Sequence, residues 1–386
     1  MKVLLNFTYG VSLENWYNMG VISRETSLYN KLTEKKIKFS FLTFGNQKDL
    51  EFSNYLKKIK VYPVGDYVNS IIPKLHFIKS LLLPIKLKVL FKKVNIIKTN
   101  QIRGSWIACV AKILFRKKII IRGGYEWLSR YKSFSRHKGF KSYLKFLTNY
   151  IWIFLNELIA YKLADGIILT DKEDISFIVK CFKLKRKYRK GKIIHYNNFV
   201  DENLFKPINS TKKDKKILYI GNLKNVKNLN NLIKALKSLE GYGLDIIGKG
   251  PIEGKLKNLV SNLKLNVNFL GIFPHEKLPE IINQYEIFIL PSYYEGNPKV
   301  LLEAMSCGVA CIGTNVHGIK SIIKHKENGY LCGFSSKSIK EAIINLDKNK
   351  NLREYIAKNA RKFILEKCSL DSISNKEFLF YKKVLK

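Results

Sequence analysis

YEIFILPSYYEGNPKVLLEAMSCGVACIGTNVHGIKSII, residues 285–323, opens with a short β-branched and aromatic run, Ile287 to Leu290, and passes through Pro291 into a glycine-containing turn. Asn297 suits an N-cap and Pro298 the first helical position, so the spacing predicts a strand, a tight turn and then a helix. Val300, Leu301, Leu302, Ala304 and Met305 are apolar nearly all round that helix, which marks it as buried. Glu303 is the exception. An unpaired buried carboxylate costs several kcal/mol, so it needs hydrogen-bond donors, with an i,i+4 pair to Lys299 as the plainer alternative. The helix start offers open N–H groups and the positive end of a dipole, and Gly296 lets an anion approach the backbone closely.

The same alternation extends in both directions. KVLLNF, KFSFLTF, NIIKTN, KIIIRGG and GIILTD are short strands separated by helical stretches such as Glu25 to Lys35 and Ser105 to Phe115. After a polar, lysine-rich passage, KILYIGN, LDIIGKG, VNFLG, IFILPS and VACIGTN repeat the pattern. Alternating βα units predict parallel sheets covered by helices on both faces. The 386 residues exceed one core, since a domain commonly takes roughly 150–200 residues. The expected division is an acceptor-side domain over 1–200, a linker over 201–214 and a second domain over 215–370. A terminal helix over about 371–386 packs back on the first domain. Parallel sheets take ligands at the carboxyl ends of their strands, so two such units facing one another form a cleft.

Composition narrows the classes. No apolar run reaches the roughly 18 residues that a membrane-spanning helix needs, and MKVLLNFTYG is too short and too early broken, at Asn6, to read as a secretory signal. The chain is therefore expected in the cytoplasm. The six cysteines form no CxxC pair and read as reduced core thiols. The net charge of +40 calls for an anionic partner. Lys and Arg interleave with bulky apolar residues over Phe77 to Lys93 and Arg130 to Leu158, the pattern of a helix lying on an anionic membrane. No helix-turn-helix, zinc knuckle or RNP element supports a basic nucleic-acid-binding protein, the rival class, so no nucleic-acid partner is expected.

ILYIGNLKNVKNLNNLIKAL runs from a strand through Gly221 into a helix near Asn228, with Lys224 and Lys227 in the loop. LDIIGKGP lacks the third glycine of a dinucleotide fingerprint, which argues against a dinucleotide Rossmann site. The ordered series from YIGNLKNVKNLNNLIKAL through LDIIGKGP, VNFLG and residues 285–323 to ENGYLC resembles family 4 glycosyltransferases, retaining enzymes of the GT-B fold. The glutamate pair with seven residues between, Glu295 and Glu303, is the specific part. NNFVDENLFKP is similar to the family's interdomain passage.

That resemblance implies two Rossmann-like doubly wound domains. It also implies transfer of a sugar from a UDP- or GDP-linked donor with retained configuration and without a metal or other cofactor. By the same resemblance Glu303 holds the ribose, Glu295 meets the donor sugar, and Gly296, Asn297, Pro298, Lys299 and Val300 present amides to sugar and diphosphate. Lys227 neutralises the departing diphosphate. The usual arginine is Asn222, for which Lys224 substitutes from two positions on, and Gly271 and Ile272 cradle the base. In the first half Gly20 is the close-approach residue of a loop over the diphosphate. Arg24 and Tyr125 face the acceptor, and Glu126 stands as acceptor-side base or orienter where many relatives keep a histidine. His195 is read as structural. The expected acceptor is a lipid-linked oligosaccharide of bacterial surface polysaccharide, with the enzyme peripheral on the inner face of the plasma membrane. A nucleotide-sugar binder without turnover is the alternative.

Overall fold

The computed structural model describes residues 1–68, 73–124, 128 and 140–386. The chain divides into two compact units, Met1–Tyr196 with Ser374–Lys386, and Asn197–Ile373. Unit 1 holds a seven-stranded sheet in the order β3-β2-β1-β4-β5-β6-β7, and unit 2 a six-stranded sheet in the order β10-β9-β8-β11-β12-β13. The strands of unit 1 are β1 (Lys2–Asn6), β2 (Lys38–Thr43), β3 (Lys60–Pro63), β4 (Ile96–Thr99), β5 (Lys118–Gly123), β6 (Gly166–Leu169) and β7 (Ile193–His195). Those of unit 2 are β8 (Lys216–Ile220), β9 (Gly243–Ile247), β10 (Val267–Gly271), β11 (Ile287–Leu290), β12 (Ala310–Thr314) and β13 (Tyr330–Cys332). Every ladder is parallel. Central strands such as Ile96–Thr99 and Ile287–Leu290 are buried on both faces, as a sheet sandwiched by helices requires.

The order reverses direction at β1/β4 in unit 1 and at β8/β11 in unit 2. Chain connections leave these neighbouring strands toward opposite sides, so a crevice opens at their carboxyl ends. In unit 2 that places the loop after β8 beside the turn after β11. These are the two segments that carry Lys224, Lys227 and Glu295.

The passage 201–214 is a packed arm and not a free linker. Phe205 is fully buried in the core of unit 2. Ile208 N donates to Asn283 Oδ1 at 2.9 Å, and Lys213 reaches Asp245 at 3.1 Å. The apolar pair Leu204 and Phe205 within an otherwise polar stretch explains the difference, because these side chains leave water only by lying on the sheet's flank. The terminal helix Leu370–Leu385 ends in unit 1, where Phe380 and Val384 press so closely on Gly166 that a Cβ there would lie 2.8 Å from both.

Beneath that helix Lys98 pairs with Glu377, and the hydroxyls of Tyr196 and Tyr381 donate to the same carboxylate. All four residues are buried. Burial alone would raise Glu377, but the ammonium and the two phenols hold it below the ordinary carboxylate value. Burial pushes Lys98 down to about 8 despite Glu377 beside it. None of the six cysteines forms a disulfide, and burial pushes the Cys109, Cys307 and Cys332 thiols up to about 12. Among the described residues no helix is long and apolar enough to cross a membrane.

Candidate functional site

At the carboxyl end of β8 the backbone is fixed laterally before the loop begins. Gly221 N donates to Ile247 O at 2.9 Å, and Gly248 N donates to Gly271 O at 2.6 Å, which ties the ends of β8, β9 and β10 into one ledge. Gly248 has φ +137, and a Cβ there would sit 2.0 Å from Gly221 O, so only glycine lets the ledge close. Gly271 lies on it with Ile272 half exposed beside it.

Beyond Gly221, Asn222 O accepts from Tyr219 OH at 3.2 Å and Leu223 is buried, so the loop turns outward at Lys224. Lys224 is exposed, and its ammonium has no ion-pair partner among the described residues. A short turn, Asn225–Lys227, then leads through left-handed Asn228 into the helix Leu229–Leu236. Asn228 Nδ2 donates to Phe334 O at 3.0 Å, which anchors the turn to the loop after β13.

Lys227 points back to the turn after β11. Its Nζ lies 2.6 Å from Glu295 Oε1, and Ser292 Oγ donates to the same oxygen at 2.6 Å. Both partners are largely shielded, the side chains being 19% and 10% exposed, so the pair is only weakly screened by solvent. Two further bonds hold the turn: Tyr293 N to Val226 O at 2.8 Å, and Thr314 Oγ1, at the end of β12, to Ser292 O. His317–Lys320 also closes on the turn, and a Cβ on Gly318 would lie 1.9 Å from Gly296 O. A lysine from one side of the switch point and a glutamate from the other are thus locked together above the sheet.

The helix of the quoted stretch runs Lys299–Ser306 with Pro298 at the N-cap, one residue later than the sequence predicts. Asn297 is not its cap because its side chain is used elsewhere. Its Oδ1 accepts from Asn198 N at 2.8 Å, its Nδ2 donates to Asn197 Oδ1 at 3.2 Å, and its carbonyl accepts from Asn198 Nδ2 at 2.7 Å. No side-chain hydrogen bond caps the helix, whose start carries the positive end of the helix dipole. Val300 and Lys299 occupy the first turn, the Lys299 ammonium standing 5.6 Å from the centre of the Phe199 ring.

Glu303 is 1% exposed, which agrees with the buried carboxylate expected at this position. Its Oε1 lies 3.0 Å from His275 Nε2, and His275 is itself buried against the Phe205 ring at 4.8 Å between centres. His275 Nδ1 has no hydrogen-bond partner, so the tautomer that donates from Nε2 to the carboxylate satisfies the geometry. The resemblance assigns Glu303's donors to ribose hydroxyls, whereas the protein itself supplies an imidazole. His275 carries no such role in the sequence reading, although it lies only three residues beyond Ile272, which the resemblance assigns to the base. Ser292 and Thr314 were missed as well, although Ser292 adjoins the turn.

In unit 1, Gly20 has φ +66 and its N donates to Tyr17 O at 2.8 Å, so it makes the turn between the helices Leu13–Asn18 and Ile22–Glu34. Arg24 lies in the first turn of the second helix, 3.2 Å from Glu25. Tyr125 and Glu126 lie outside the described residues. The loops after β1 and β4 are joined at this unit's own switch point by Asn6 Nδ2 to Gly104 O, 3.0 Å, and Tyr9 N to Arg103 O, 3.1 Å. His195 ends β7, and burial lowers its pKa.

Residues 200–363 match the family model described as glycosyl transferases group 1. A segment of 142 residues is 32% identical to N-acetyl-alpha-D-glucosaminyl L-malate synthase of Bacillus anthracis, covering 36% of this chain and 37% of that one. Another of 122 residues is 30% identical to the UDP-Gal:alpha-D-GlcNAc-diphosphoundecaprenol alpha-1,3-galactosyltransferase of Escherichia coli, covering 31% of each. The matched segments thus span about a third of these relatives' length. Sucrose-phosphate synthase from Thermosynechococcus elongatus superimposes over 100% of this chain and 99% of its own, with a TM-score of 0.79 at 17% identity, which shows a shared GT-B fold.

Proposed function

Because residues 200–363 match the family model described as glycosyl transferases group 1 and the chain shares a GT-B fold, we propose that the chain is a retaining glycosyltransferase. It moves a sugar from a UDP- or GDP-linked donor to a lipid-linked oligosaccharide acceptor in bacterial surface polysaccharide synthesis. The observation that carries this reading is the Lys227–Glu295 pair, held at 2.6 Å by loops from the two strands that flank the switch point of unit 2. A diphosphate arriving at the helix start before Lys299 would draw the Lys227 ammonium and leave the Glu295 carboxylate to meet the sugar. Lysine and backbone amides then take up the charge that builds on the leaving diphosphate, commonly the largest contribution to catalysis. No divalent metal is needed for that role. Glu303, seated by His275, is assigned to the ribose hydroxyls, and Gly271 and Ile272 to the base.

The E. coli relative's name, with its UDP-linked donor and diphosphoundecaprenol acceptor, supports the choice of substrates. Exposed apolar side chains support a membrane-side location. Leu144, Leu147, Ile151, Leu155 and Ile159 follow one another at helical spacing along Phe140–Leu163, as they would on a helix lying at a lipid surface.

The test is incubation of the purified protein with UDP- and GDP-sugars, following slow release of nucleotide and the anomer first formed by NMR. Release from one donor class with the donor's configuration kept is expected. Donor binding without any release would favour a binding protein, and an inverted product would overturn the retaining assignment. Glu303→Gln keeps an acceptor for His275 while removing the charge. It should weaken nucleotide binding with little effect on melting temperature, and the reverse pattern would make Glu303 purely structural.

A further inference from the structure

Strands β1, β2 and β3 each begin with a lysine, Lys2, Lys38 and Lys60. Lys2 and Lys38 are register partners, so the amino edge of the sheet begins as a row of cations. Across from it, Lys86 ends the helix Leu83–Lys86, and Lys88 and Lys93 bound the next, Lys88–Lys93. Between them lies a cavity of about 910 Å³ lined by eight lysines and no acidic residue. Among the described residues none of the eight forms an ion pair. Glu34, on the helix that leads into β2, is instead engaged by Lys31 at 3.3 Å and Lys57 at 3.6 Å.

The remaining lining is largely apolar. Ile37, Phe39, Leu87 and Val94 contribute to it, and Val89 stands 66% exposed, with Ile85 and Leu82 exposed on the adjoining turns. The cavity belongs to the end of the sheet opposite the strand carboxyl ends, where α/β folds hold their substrates. Eight ammonium groups face this one space with no carboxylate among its lining, so they repel one another unless an anion enters.

We propose that this cavity seats the phosphate headgroup of an anionic membrane phospholipid, with Val89, Ile85 and Leu82 entering the adjoining acyl region. A soluble polyphosphate would satisfy the lysines and leave the exposed apolar rim without a role, whereas a lipid uses both. The proposal rests on the reading that unit 1 meets a membrane.

The test is flotation of the full chain with phosphatidylcholine vesicles with and without phosphatidylglycerol. The wild type is expected on the anionic vesicles. Each cation near such a surface contributes about fivefold, so Lys38→Gln/Lys60→Gln/Lys88→Gln should lower the partition coefficient on the order of 100-fold. Val89→Asp should weaken it too. Lys237→Gln/Lys255→Gln/Lys264→Gln, in unit 2, should retain wild-type binding, with thermal melting confirming that each variant folds. If the wild type binds anionic vesicles and the cavity variant binds equally well, or the unit 2 variant loses as much, the cavity assignment fails while the membrane reading stands. If the wild type shows no preference for anionic vesicles, both fail. Cavity-dependent binding of inorganic pyrophosphate without vesicle binding would make this a site for soluble anions and overturn the lipid assignment.

Discussion

Replacing Lys227 by glutamine tests the proposed chemistry most directly, because the amide can still donate to Glu295 while the charge is gone. A unit charge about 4 Å away in surroundings of effective dielectric about 20 is worth about 4 kcal/mol. The Lys227 side chain is 19% exposed and its ammonium already lies 2.6 Å from Glu295, so its charge is held in place before any ligand arrives. If half or somewhat more of a unit charge has built on the diphosphate in the transition state, losing Lys227 costs about 2–3 kcal/mol, or roughly 30- to 150-fold in kcat. Nucleoside affinity should hardly change, since the lysine is assigned to phosphate. Steady-state transfer or donor hydrolysis gives the first quantity, and calorimetry with uridine and guanosine the second. Melting within about 1 kcal/mol of wild type would show that the turn after β11 survives on its Ser292 and Val226 bonds. An equal loss in turnover and nucleoside binding, or no loss in turnover, would refute the leaving-group role.

Four further outcomes concern the framework. Glu377→Leu strands the buried Lys98 ammonium and should cost about 3–5 kcal/mol, most of it recovered in Lys98→Met/Glu377→Leu; all four tryptophans belong to unit 1, so urea unfolding followed by their fluorescence reports it. Burial would raise Asp245, but hydrogen bonds from Tyr285, Asn268 and Lys213 hold it below its ordinary 3.8. A depressed carboxylate stabilises the fold above that value and loses the contribution as pH falls through the folded pKa. The stability gap between wild type and Asp245→Asn should therefore shrink below about pH 4 in urea melts followed by circular dichroism. Gly254 lies in the helix Glu253–Leu263 with open space at its Cβ, so Gly254→Ala should stabilise by about 0.5–1 kcal/mol. Gly248→Ala should destabilise by about 3 kcal/mol or more, and thermal melts separate the two.

The strands that stand out in the sequence are mostly the buried ones. β1, β2, β4, β5, β6, β8, β9, β11 and β12 appear as apolar runs because both faces of the sheet are covered, while β10, a partly exposed edge strand, shows through Val267, Phe269 and Leu270. β3, β7 and β13 escaped notice, being three or four residues long at sheet edges, where no continuous apolar run is needed. The order of strands, and with it the switch point that brings Lys227 to Glu295, depends on pairings that local periodicity does not encode. The N-cap was misplaced by one residue because Asn297 answers to Asn197 and Asn198, about 100 positions away in sequence. Lys98 and Glu377 are 279 positions apart, and each looks like an ordinary surface charge until the terminal helix returns to unit 1.

Where the scarce acids lie gives the charge imbalance a meaning that its total does not. Against 70 lysines and arginines the chain has 30 aspartates and glutamates, and several of those acids are taken up at internal junctions. Glu295 joins the loops after β8 and β11, and Glu377 fastens the terminal helix to β4. Asp245 holds the arm before β8, and Glu202 accepts from Leu370 N at 2.8 Å. Each such carboxylate is repaid by donors that only the folded chain assembles, so none is available to neutralise the amino edge of unit 1. A chain whose surplus lysine arose from composition alone would scatter its surface acids among those lysines. Eight lysines around one cavity without an acid in its lining is the arrangement that an anionic ligand explains.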